Sequence, residues 1–553
     1  MIKEQIQQKI QEIFGLDFVP EICSTNFEGA DFAVSPKLIF EIVKKAGTSA
    51  EKVKEKIIES ATQDLGCVAS VKNGFVNISI RDISQEVRIF LETDNYLEKK
   101  QNHDKTIVID YSAPNIAKRF SIGNLRSTII GAAVANSYKA LGYKVEGINH
   151  LGDWGTQFGK LVVAIEKWGD KKEIEKNPLE QLSNLYIRFH REAQSNPALV
   201  DEARLAFKKL ESGDERTRVI WRKCINWSMK EFDHYYDELG IHIENIIGES
   251  FYDDKTVQVI RELDQKGLLK ESEGAKIVEF DHLPPAVIQK KDEATLYITR
   301  DLASIKYRIE KFKPTKMIYH VGLEQQLHFT QLFEIVRMLG WAKNVELVYA
   351  GHGLVKLPSG KMSAREGNVV LLEELIREAK ERVRDIFKGG GADKIDEDKV
   401  KAVAIGAIKY TDLKQNRKTN IVFDWANALD LNGNSGPYLQ YAYARISSVI
   451  SKSGLKIGDL IAESNEMKID KDQVKDLIFF QDVVNEMAEN EMPNLICNFA
   501  YKIASKANSY YERVRVLNED KDELIKNIMP LFVWEKLLRL SFEIIGLEPL
   551  KEV

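Results

Sequence analysis

Residues 106–141 read TIVIDYSAPNIAKRFSIGNLRSTIIGAAVANSYKAL, and the order of elements within them decides the fold. A β-branched run from Thr106 to Ile109 leads into a polar, proline-containing loop. The chain then takes up helical spacing, with Leu125, Ile129, Ile130, Ala133 and Leu141 recurring on one face. Strand, glycine-containing loop and helix in that order set backbone N–H groups and the positive end of a helix dipole at the loop mouth, where a phosphate can sit. Many such units bind nothing, so the stretch alone predicts a phosphate-compatible turn and no more.

Outward from this unit, strand and helix patterns alternate, which indicates a parallel sheet covered by helices. The strands are expected at 106–110, 144–148, 317–321 and 345–349. Between the second and third lies an insertion at about 160–285, largely helical up to Leu239. Its Trp221, Trp227, Phe232 and Tyr235 read as core packing. On the N-terminal side, helical patterns near 4–14, 36–46 and 50–63 precede two strand-like runs joined by Asn73-Gly74, a hairpin signal because both turn residues need positive φ. A charged linker is expected at 98–105. On the C-terminal side a basic, glycine-rich loop, GHGLVKLPSGKMSAREGN, precedes a helix at 371–387, and from about 399 onward nearly everything reads helical.

Composition narrows the class. With 44% hydrophobic and 29% charged residues among 553, the chain is expected to be globular, and no apolar run approaches the roughly 20 residues of a bilayer span. The N-terminal residues lack the continuous apolar core of a secretory signal. Cys23, Cys67, Cys224 and Cys497 have no close pairs, which argues against a zinc knuckle and a disulfide framework and fits a cytoplasmic location. A net charge of −5 gives no global basic field, so nucleic-acid contact would have to come from local patches.

Six stretches carry a closer likeness: SAPNIAKRFSIGNLRSTIIG from Ser112, NHLGDWGTQFG from Asn149, LYITRDLASIKYR from Leu296, HVGLEQQLHFTQLF from His320, GKMSAREGN from Gly360 and GNSGPYLQYAYARI from Gly433. In register across roughly 330 residues, they resemble class I aminoacyl-tRNA synthetases, the arginyl-tRNA synthetases most closely. The resemblance implies an α/β Rossmann-like catalytic domain with a helical insertion (101–370), a small α+β N-terminal domain contacting tRNA (1–100), a connecting helical segment (371–425) and an all-α anticodon-binding bundle (426–553). The implied reaction joins L-arginine to its cognate tRNA through arginyl-adenylate. It uses ATP with the Mg²⁺ that ATP carries, and no zinc, in a monomer without membrane attachment. A non-charging paralogue that binds tRNA or nucleotide is the alternative.

By the same resemblance, Ser121, Gly123 and Asn124 would meet ATP together with Lys361, Met362 and Ser363. The family usually carries histidine where Ser121 and Asn124 stand, and Asn124 could still donate through its amide. Ala364 occupies the place of a second lysine common in class I enzymes, and Lys118 is expected to supply that charge. Asn115 would hold the arginine backbone. His150, Glu249, Tyr297, Asp301 and Gln325 would line the side-chain pocket, with Glu244 an alternative to Glu249, because a planar guanidinium is best met by carboxylates. Asp153, Trp154 and Gln157 read as pocket wall and His328 as a neighbour. For the anticodon the candidate readers are Tyr438, Gln440, Tyr441, Tyr443, Arg445, Asn508, Tyr510, Tyr511 and Arg513. Of these, Tyr441, Arg445, Tyr511 and Arg513 lead, and about half of the group is expected in the core.

Overall fold

The β-branched run at 106–110 forms the middle strand of a five-stranded parallel sheet, and the layers around it follow from the alternation of its side chains. The structure, a computed structural model, describes residues 2–25, 29–291, 295–356, 370–390, 394–464 and 469–551. Lys361, Met362, Ser363 and Ala364 lie outside the described residues.

Before that sheet, helices α1 (Ile2–Phe14), α2 (Pro36–Ala46) and α3 (Ala50–Gln63) accompany an antiparallel sheet ordered β1-β2-β4-β3, where β1 is Cys23–Ser24, β2 Phe32–Val34, β3 Cys67–Lys72 and β4 Phe75–Ile80. Lys72 pairs with Phe75 across Asn73 (φ 51°) and Gly74 (φ 82°), the left-handed pair that a two-residue hairpin requires. Helix α4 (Ser84–Glu92) follows. The stretch expected as a linker is instead a docked connection. Asn102 is buried and donates its Nδ2 hydrogen to the Leu141 carbonyl at 2.9 Å, and the Lys99 amide donates to the same oxygen.

The central sheet is ordered β12-β11-β5-β6-β7, all parallel, from β5 (Thr106–Asp110), β6 (Lys144–Asn149), β7 (Asn245–Ile246), β11 (Lys316–Tyr319) and β12 (Glu346–Tyr349). Helix α5 (Ile122–Ala140) joins β5 to β6. Between β6 and β7 stand α6 (Thr156–Trp168), α7 (Lys171–Lys176), α8 (Pro178–Ser195), α9 (Ala198–Glu211) and α10 (Glu215–Leu239). After β7 come α11 (Thr256–Gln265), a small antiparallel sheet of β8 (Lys270–Ser272), β9 (Ala275–Val278) and β10 (Ala286–Gln289), then α12 (Tyr297–Phe312) and α13 (Gln326–Leu339). β7 falls inside the stretch read as insertion, because two residues are too few to show a strand period.

Ile107 and Ile109 of β5 and Ile318 of β11 join the core on the α5 side, with Ile129, Ile130 and Ala133. Val108, Met317 and Tyr319 point the other way, into a second core with Leu302, Ile305, Leu332 and Val336 of α12 and α13. Each such aliphatic buried contributes roughly 1.5–3 kcal/mol. Gly131 lets α5 close on the sheet: a Cβ there would stand 2.2 Å from the Tyr111 Cβ.

A short strand β13 (Val355–Lys356) runs parallel to β14 (Ile421–Val422), with α14 (Leu372–Gly389) and α15 (Glu397–Leu413) between them in sequence. After α16 (Trp425–Ala428) the chain is helical: α17 (Gly436–Ser453), α18 (Ile457–Ser464), α19 (Lys471–Val474), α20 (Asp476–Asn490), α21 (Asn494–Tyr511) and α22 (Lys521–Ile545), around the fully buried Trp534. This bundle grips α5. Asn136 Nδ2 donates to the Glu543 and Ile544 carbonyls at 3.2 Å, and Lys409 Nζ donates to the Gly546 carbonyl at 2.7 Å, both capping the C-terminal end of α22. The N-terminal unit rests on the same bundle, with Lys536 donating to the Thr93 carbonyl and Lys471 paired with Asp31. No helix among the described residues is long and apolar enough to cross a membrane.

Candidate active site

The crevice lies where the parallel strands end, the position at which open α/β sheets present their ligand-contacting loops. The loop after β5 is strained: Ser112 (φ 71°), Ala113 (φ 46°) and Ala117 (φ 62°) are left-handed without being glycine, at a cost of order 1 kcal/mol each. Neighbouring elements hold it there. The Ser112 amide donates to Ser127 Oγ at 3.1 Å, Ala113 to Asn149 Oδ1 at 3.2 Å, and Ala117 to Ser228 Oγ at 2.8 Å. The Phe120 amide donates to Glu231 Oε1 at 3.0 Å, and Ser112 Oγ meets the Tyr236 hydroxyl at 2.8 Å. Ser228, Glu231 and Tyr236 all belong to α10, so the insertion braces the loop. Asn115 is exposed and forms a parallel bridge with Gly152, where any Cβ would stand 2.2 Å from its Oδ1.

Ser121 and Asn124 form a capping box at the start of α5. Asn124 Oδ1 accepts from the Ser121 amide at 3.2 Å and from its hydroxyl at 2.9 Å. The amides of Ser121, Ile122, Asn124 and Leu125 are all donated within the protein, to Asn124, Val370 and the Ser121 carbonyl. These bonds cap the start of the helix from within the protein. Gly123 is exposed, and a Cβ there would meet only Ser121 Oγ, at 3.5 Å. Lys118 turns toward the insertion, its Nζ 5.8 Å from the centre of the Tyr186 ring on α8. The start of α14 packs against the start of α5. Leu371 bridges to Ser121, the Leu372 amide donates to the Phe120 carbonyl at 3.0 Å, and Arg119 pairs with Glu373.

On α12, Asp301 sits between two histidines, accepting from His328 Nε2 at 2.7 Å with His150 Nε2 at 3.8 Å. Burial works to raise its carboxyl, but the His328 hydrogen bond and the charges of His328, His150 and Arg308 outweigh it, so it stays below its ordinary value. The chain of polar groups continues inward. Arg308 Nη2 meets His150 Nδ1 at 3.3 Å, and Arg308 Nη1 stands 2.7 Å from Asp110 Oδ2, both of these last residues being buried. Glu249 follows β7 and lies 3.4 Å from Arg300 Nε. Burial pushes its carboxyl up to about 8 despite that guanidinium, with the Asp301 charge adding to the rise. Tyr297 is largely exposed, its ring 5.1 Å from the Arg300 guanidinium, and Gln325 is exposed in the turn that opens α13. Glu244 is engaged elsewhere, with Lys139 and the Gly147 amide, so the structure groups Glu249 and not Glu244 with Asp301.

Of the expected wall residues, Asp153 supports the turn that carries Glu249. Asp153 accepts from the Ser250 amide (2.8 Å) and hydroxyl (2.6 Å), which fixes the turn bearing Glu249. Trp221 donates to the Asp153 carbonyl at 2.7 Å, so one tryptophan expected only in the core supports the site as well. Among the described residues no group of three or more His, Cys, Asp or Glu side chains is placed to hold a metal ion.

On the bundle, Tyr443, Gln440 and Tyr510 point inward, bonded to Glu535, to the Ala402 and Glu548 carbonyls, and to the Asn527 carbonyl. Tyr438 and Asn508 bond each other at 3.0 Å. The outward set is different: Arg445 lies over the Tyr511 ring at 5.1 Å, and the Tyr511 hydroxyl donates back to the Arg445 carbonyl. Tyr441, one turn before Arg445, is 44% exposed at the rim of an apolar groove of about 360 Å³ lined also by Val383, Ile386, Val403 and Pro437. Arg513 is exposed, its Nε donating to the Ser509 carbonyl.

Sequence reasoning missed Asp110, Arg300 and Arg308. Arg308 follows Asp301 by two helical turns on the same face, a spacing that was legible, whereas the reach from Arg308 to Asp110 depends on how β5 and α12 pack.

Residues 86–425 match the family model described as tRNA synthetases class I (R), catalytic domain, and residues 439–553 match the DALR anticodon binding domain. A curated protein named Arginine--tRNA ligase from Clostridium botulinum (strain Alaska E43 / Type E3) is 36% identical over 561 residues, covering 100% of this chain and 98% of that one. One of the same name from Fusobacterium nucleatum subsp. nucleatum is 38% identical over 491 residues, covering 87% and 86%. Among solved structures, the arginyl-tRNA synthetase of Plasmodium falciparum superimposes with a TM-score of 0.81 at 25% identity, over 100% of this chain and 98% of that one. That of Thermus thermophilus gives 0.82 at 18% identity over 100% and 99%, a likeness of fold.

Proposed function

The chain belongs to the class I (R) tRNA synthetases, and from that premise we propose that it charges tRNA with L-arginine at the expense of ATP. The observation that carries the amino-acid choice is the pair of acids at the strand ends, Asp301 held ionised by His328 and Glu249 held near it in a buried setting. Two carboxylates suit a planar guanidinium, and a substrate lacking that planar fork would meet their remaining acceptor sites with fewer hydrogen bonds. Lysine and citrulline are therefore rejected.

In the first step an arginine carboxylate oxygen bonds to the α-phosphorus of ATP, and pyrophosphate leaves. In the second, a hydroxyl of the terminal adenosine of tRNA bonds to the arginyl carbonyl, and AMP leaves. Asn115, exposed beside Gly152, is placed to orient the amino-acid backbone. Gly123 admits the nucleotide close to the start of α5, while Ser121 and Asn124 shape that start through their capping box. Lys118 and Lys361 carry the positive charge for the phosphates, aided by Ser363 and Met362 and by the Mg²⁺ that accompanies ATP. His150, Tyr297 and Gln325 complete the arginine pocket. Tyr441, Arg445, Tyr511 and Arg513 present an aromatic and cationic face on which unstacked anticodon bases can lie. A monomer acting in the cytoplasm completes the proposal. No observation favours a non-charging paralogue.

Arginine-dependent ATP–pyrophosphate exchange, run with and without cognate tRNA and followed by formation of arginyl-tRNA, tests the reading. Exchange driven by arginine and by no other amino acid is the expected result. Measurable tRNA binding with no arginyl-tRNA formed would overturn it.

A further inference from the structure

The Arg308 side chain has no solvent-exposed surface, and what it touches determines the chemical form of a pocket residue. Its Nη2 stands 3.3 Å from His150 Nδ1. A guanidinium has hydrogens to give and no lone pair with which to receive one, so Arg308 is the donor in this bond. Nδ1 of His150 is then the bare nitrogen, and Nε2 carries the ring hydrogen. The imidazolium is excluded while the bond holds, because it needs a hydrogen on both nitrogens. Nε2 is the nitrogen on the side of Asp301, 3.8 Å from Oδ1. Asp301 therefore has His328 Nε2 at 2.7 Å from one oxygen and an uncharged N–H of His150 across a longer gap from the other. That gap exceeds a hydrogen bond, which leaves Oδ1 able to accept from a ligand.

Arg308 is itself held from the far side. Its Nη1 lies 2.7 Å from Asp110 Oδ2 at the end of β5, and its guanidinium is 5.5 Å from the centre of the Tyr319 ring on β11. The His150 ring packs on Tyr252, from the turn after β7, with 5.6 Å between centres. The charges that reach His150 are Arg308 and Asp301 from α12, Asp110 from β5 and Asp153 from its own loop, with His328 of α13 beyond Asp301. Burial and the Arg308 charge hold the imidazole below its ordinary value against the three carboxylates. A protonated ring at this point would repel an incoming guanidinium from Asp301.

We propose that Arg308 is a positioning residue for arginine recognition: it confines the His150 ring hydrogen to Nε2, so that Asp301 meets an uncharged donor there and keeps its negative charge for the substrate guanidinium. The inference rests on the reading above that Asp301 receives the arginine side chain. Arg308 acts through His150, and its effect belongs to substrate binding and not to the transfer steps.

The test is made on the full chain by initial-rate pyrophosphate exchange with tRNA present. Arg308→Gln, whose amide can accept as well as donate, is introduced into the parent and into a His150→Gln chain, whose side chain does not titrate. In the parent background KM for arginine should rise about tenfold or more near pH 6.5, with kcat within about threefold. The ratio of variant to parent KM should shrink severalfold by about pH 8, as the released imidazole loses its proton; taking the ratio cancels what Glu249 contributes in both chains. In the His150→Gln chain the same substitution should change KM by less than about twofold at either pH. Equal rises in both backgrounds, or a ratio independent of pH, would mean that Arg308 serves only the packing of β5 on α12, and would overturn the proposal. Should Arg308→Gln fail to fold, since it leaves Asp110 buried without its partner, the ring is read directly in the unsubstituted chain. Nitrogen NMR of protein labelled at its histidines serves for this, with the His150 signals identified by their loss in His150→Gln. A hydrogen on Nε2 and a bare Nδ1 from about pH 6 to 8 are expected, whereas a hydrogen on Nδ1, or a ring that gains a proton in that range, would overturn the proposal. Unaltered KM for arginine in Asp301→Asn would overturn the reading of the pocket and this inference with it, whereas a parent without arginine-dependent exchange would overturn the proposed function itself.

Discussion

Replacing Glu249 by glutamine removes a carboxyl that burial pushes up to about 8, and the proposed role of that carboxyl then has a measurable pH signature. Between its ordinary 4.5 and 8 the folded chain keeps a proton that the unfolded chain has lost, so the stability of the empty protein falls as pH rises through that window. Each unit corresponds to about 1.4 kcal/mol. If the substrate guanidinium binds only the ionised carboxylate, apparent affinity for arginine scales with the ionised fraction. That fraction is about one in a hundred at pH 6 and one in two at pH 8, so KM for arginine should fall about 50-fold across this range. Glu249→Gln should flatten the profile, while His328→Gln should leave the Glu249 slope in place. Initial-rate pyrophosphate exchange over saturating ATP measures it, with Tm read alongside because Arg300 loses its buried partner in the variant. A KM that stays level from pH 6 to 8 in the parent, or a slope that survives in Glu249→Gln, would refute the reasoning.

Other perturbations probe other parts of the molecule. Lys118→Ala should lower the rate of adenylate formation by about a hundredfold, roughly 3 kcal/mol of transition-state stabilisation, with little change in tRNA affinity; near-normal exchange in the presence of tRNA would exclude Lys118 as a phosphate-facing cation. Gly131→Ala should destabilise the fold by about 1–3 kcal/mol in urea titration, since the added methyl meets the Tyr111 Cβ, which cannot swing away. Arg445→Ala removes the cation over Tyr511 and should raise KM for tRNA severalfold while leaving KM for arginine unchanged; an equal change in both would place Arg445 in the scaffold and not on the tRNA face.

Which parts were legible follows from where the information sits. β5 was read at its observed limits because Thr106, Ile107, Val108 and Ile109 are consecutive β-branched residues in a strand covered on both sides. The Asn73-Gly74 hairpin was legible because its conformation is a local demand. β7 was not, since pairing with β6 defines it and its two residues carry no period. The candidate pocket shows the same division. Asp301 and His328 were both noticed, but their 2.7 Å bond comes from the packing of α12 beside α13, and the inward continuation through Arg308 to Asp110 depends on the sheet. Asn124 was expected to donate to a ligand. Its Oδ1 accepts from Ser121, because a short polar side chain three residues into a helix finds the capping geometry, and its Nδ2 amide is the group left for that donation.

The grip of α22 on α5 bears on how the protein is made. Asn136 Nδ2 bonds to carbonyls about 400 residues further along, and Lys536 reaches back a similar distance to Thr93. A nascent chain on the ribosome therefore passes through a long interval in which the signature helix exists with its apolar flank uncovered. Contacts of such sequence separation are slow to form and leave sticky surfaces exposed meanwhile. The signature helix is among the first parts of the sheet unit to be synthesised and among the last to be fully packed, so shielding by chaperones should matter most between the emergence of α5 and that of α22.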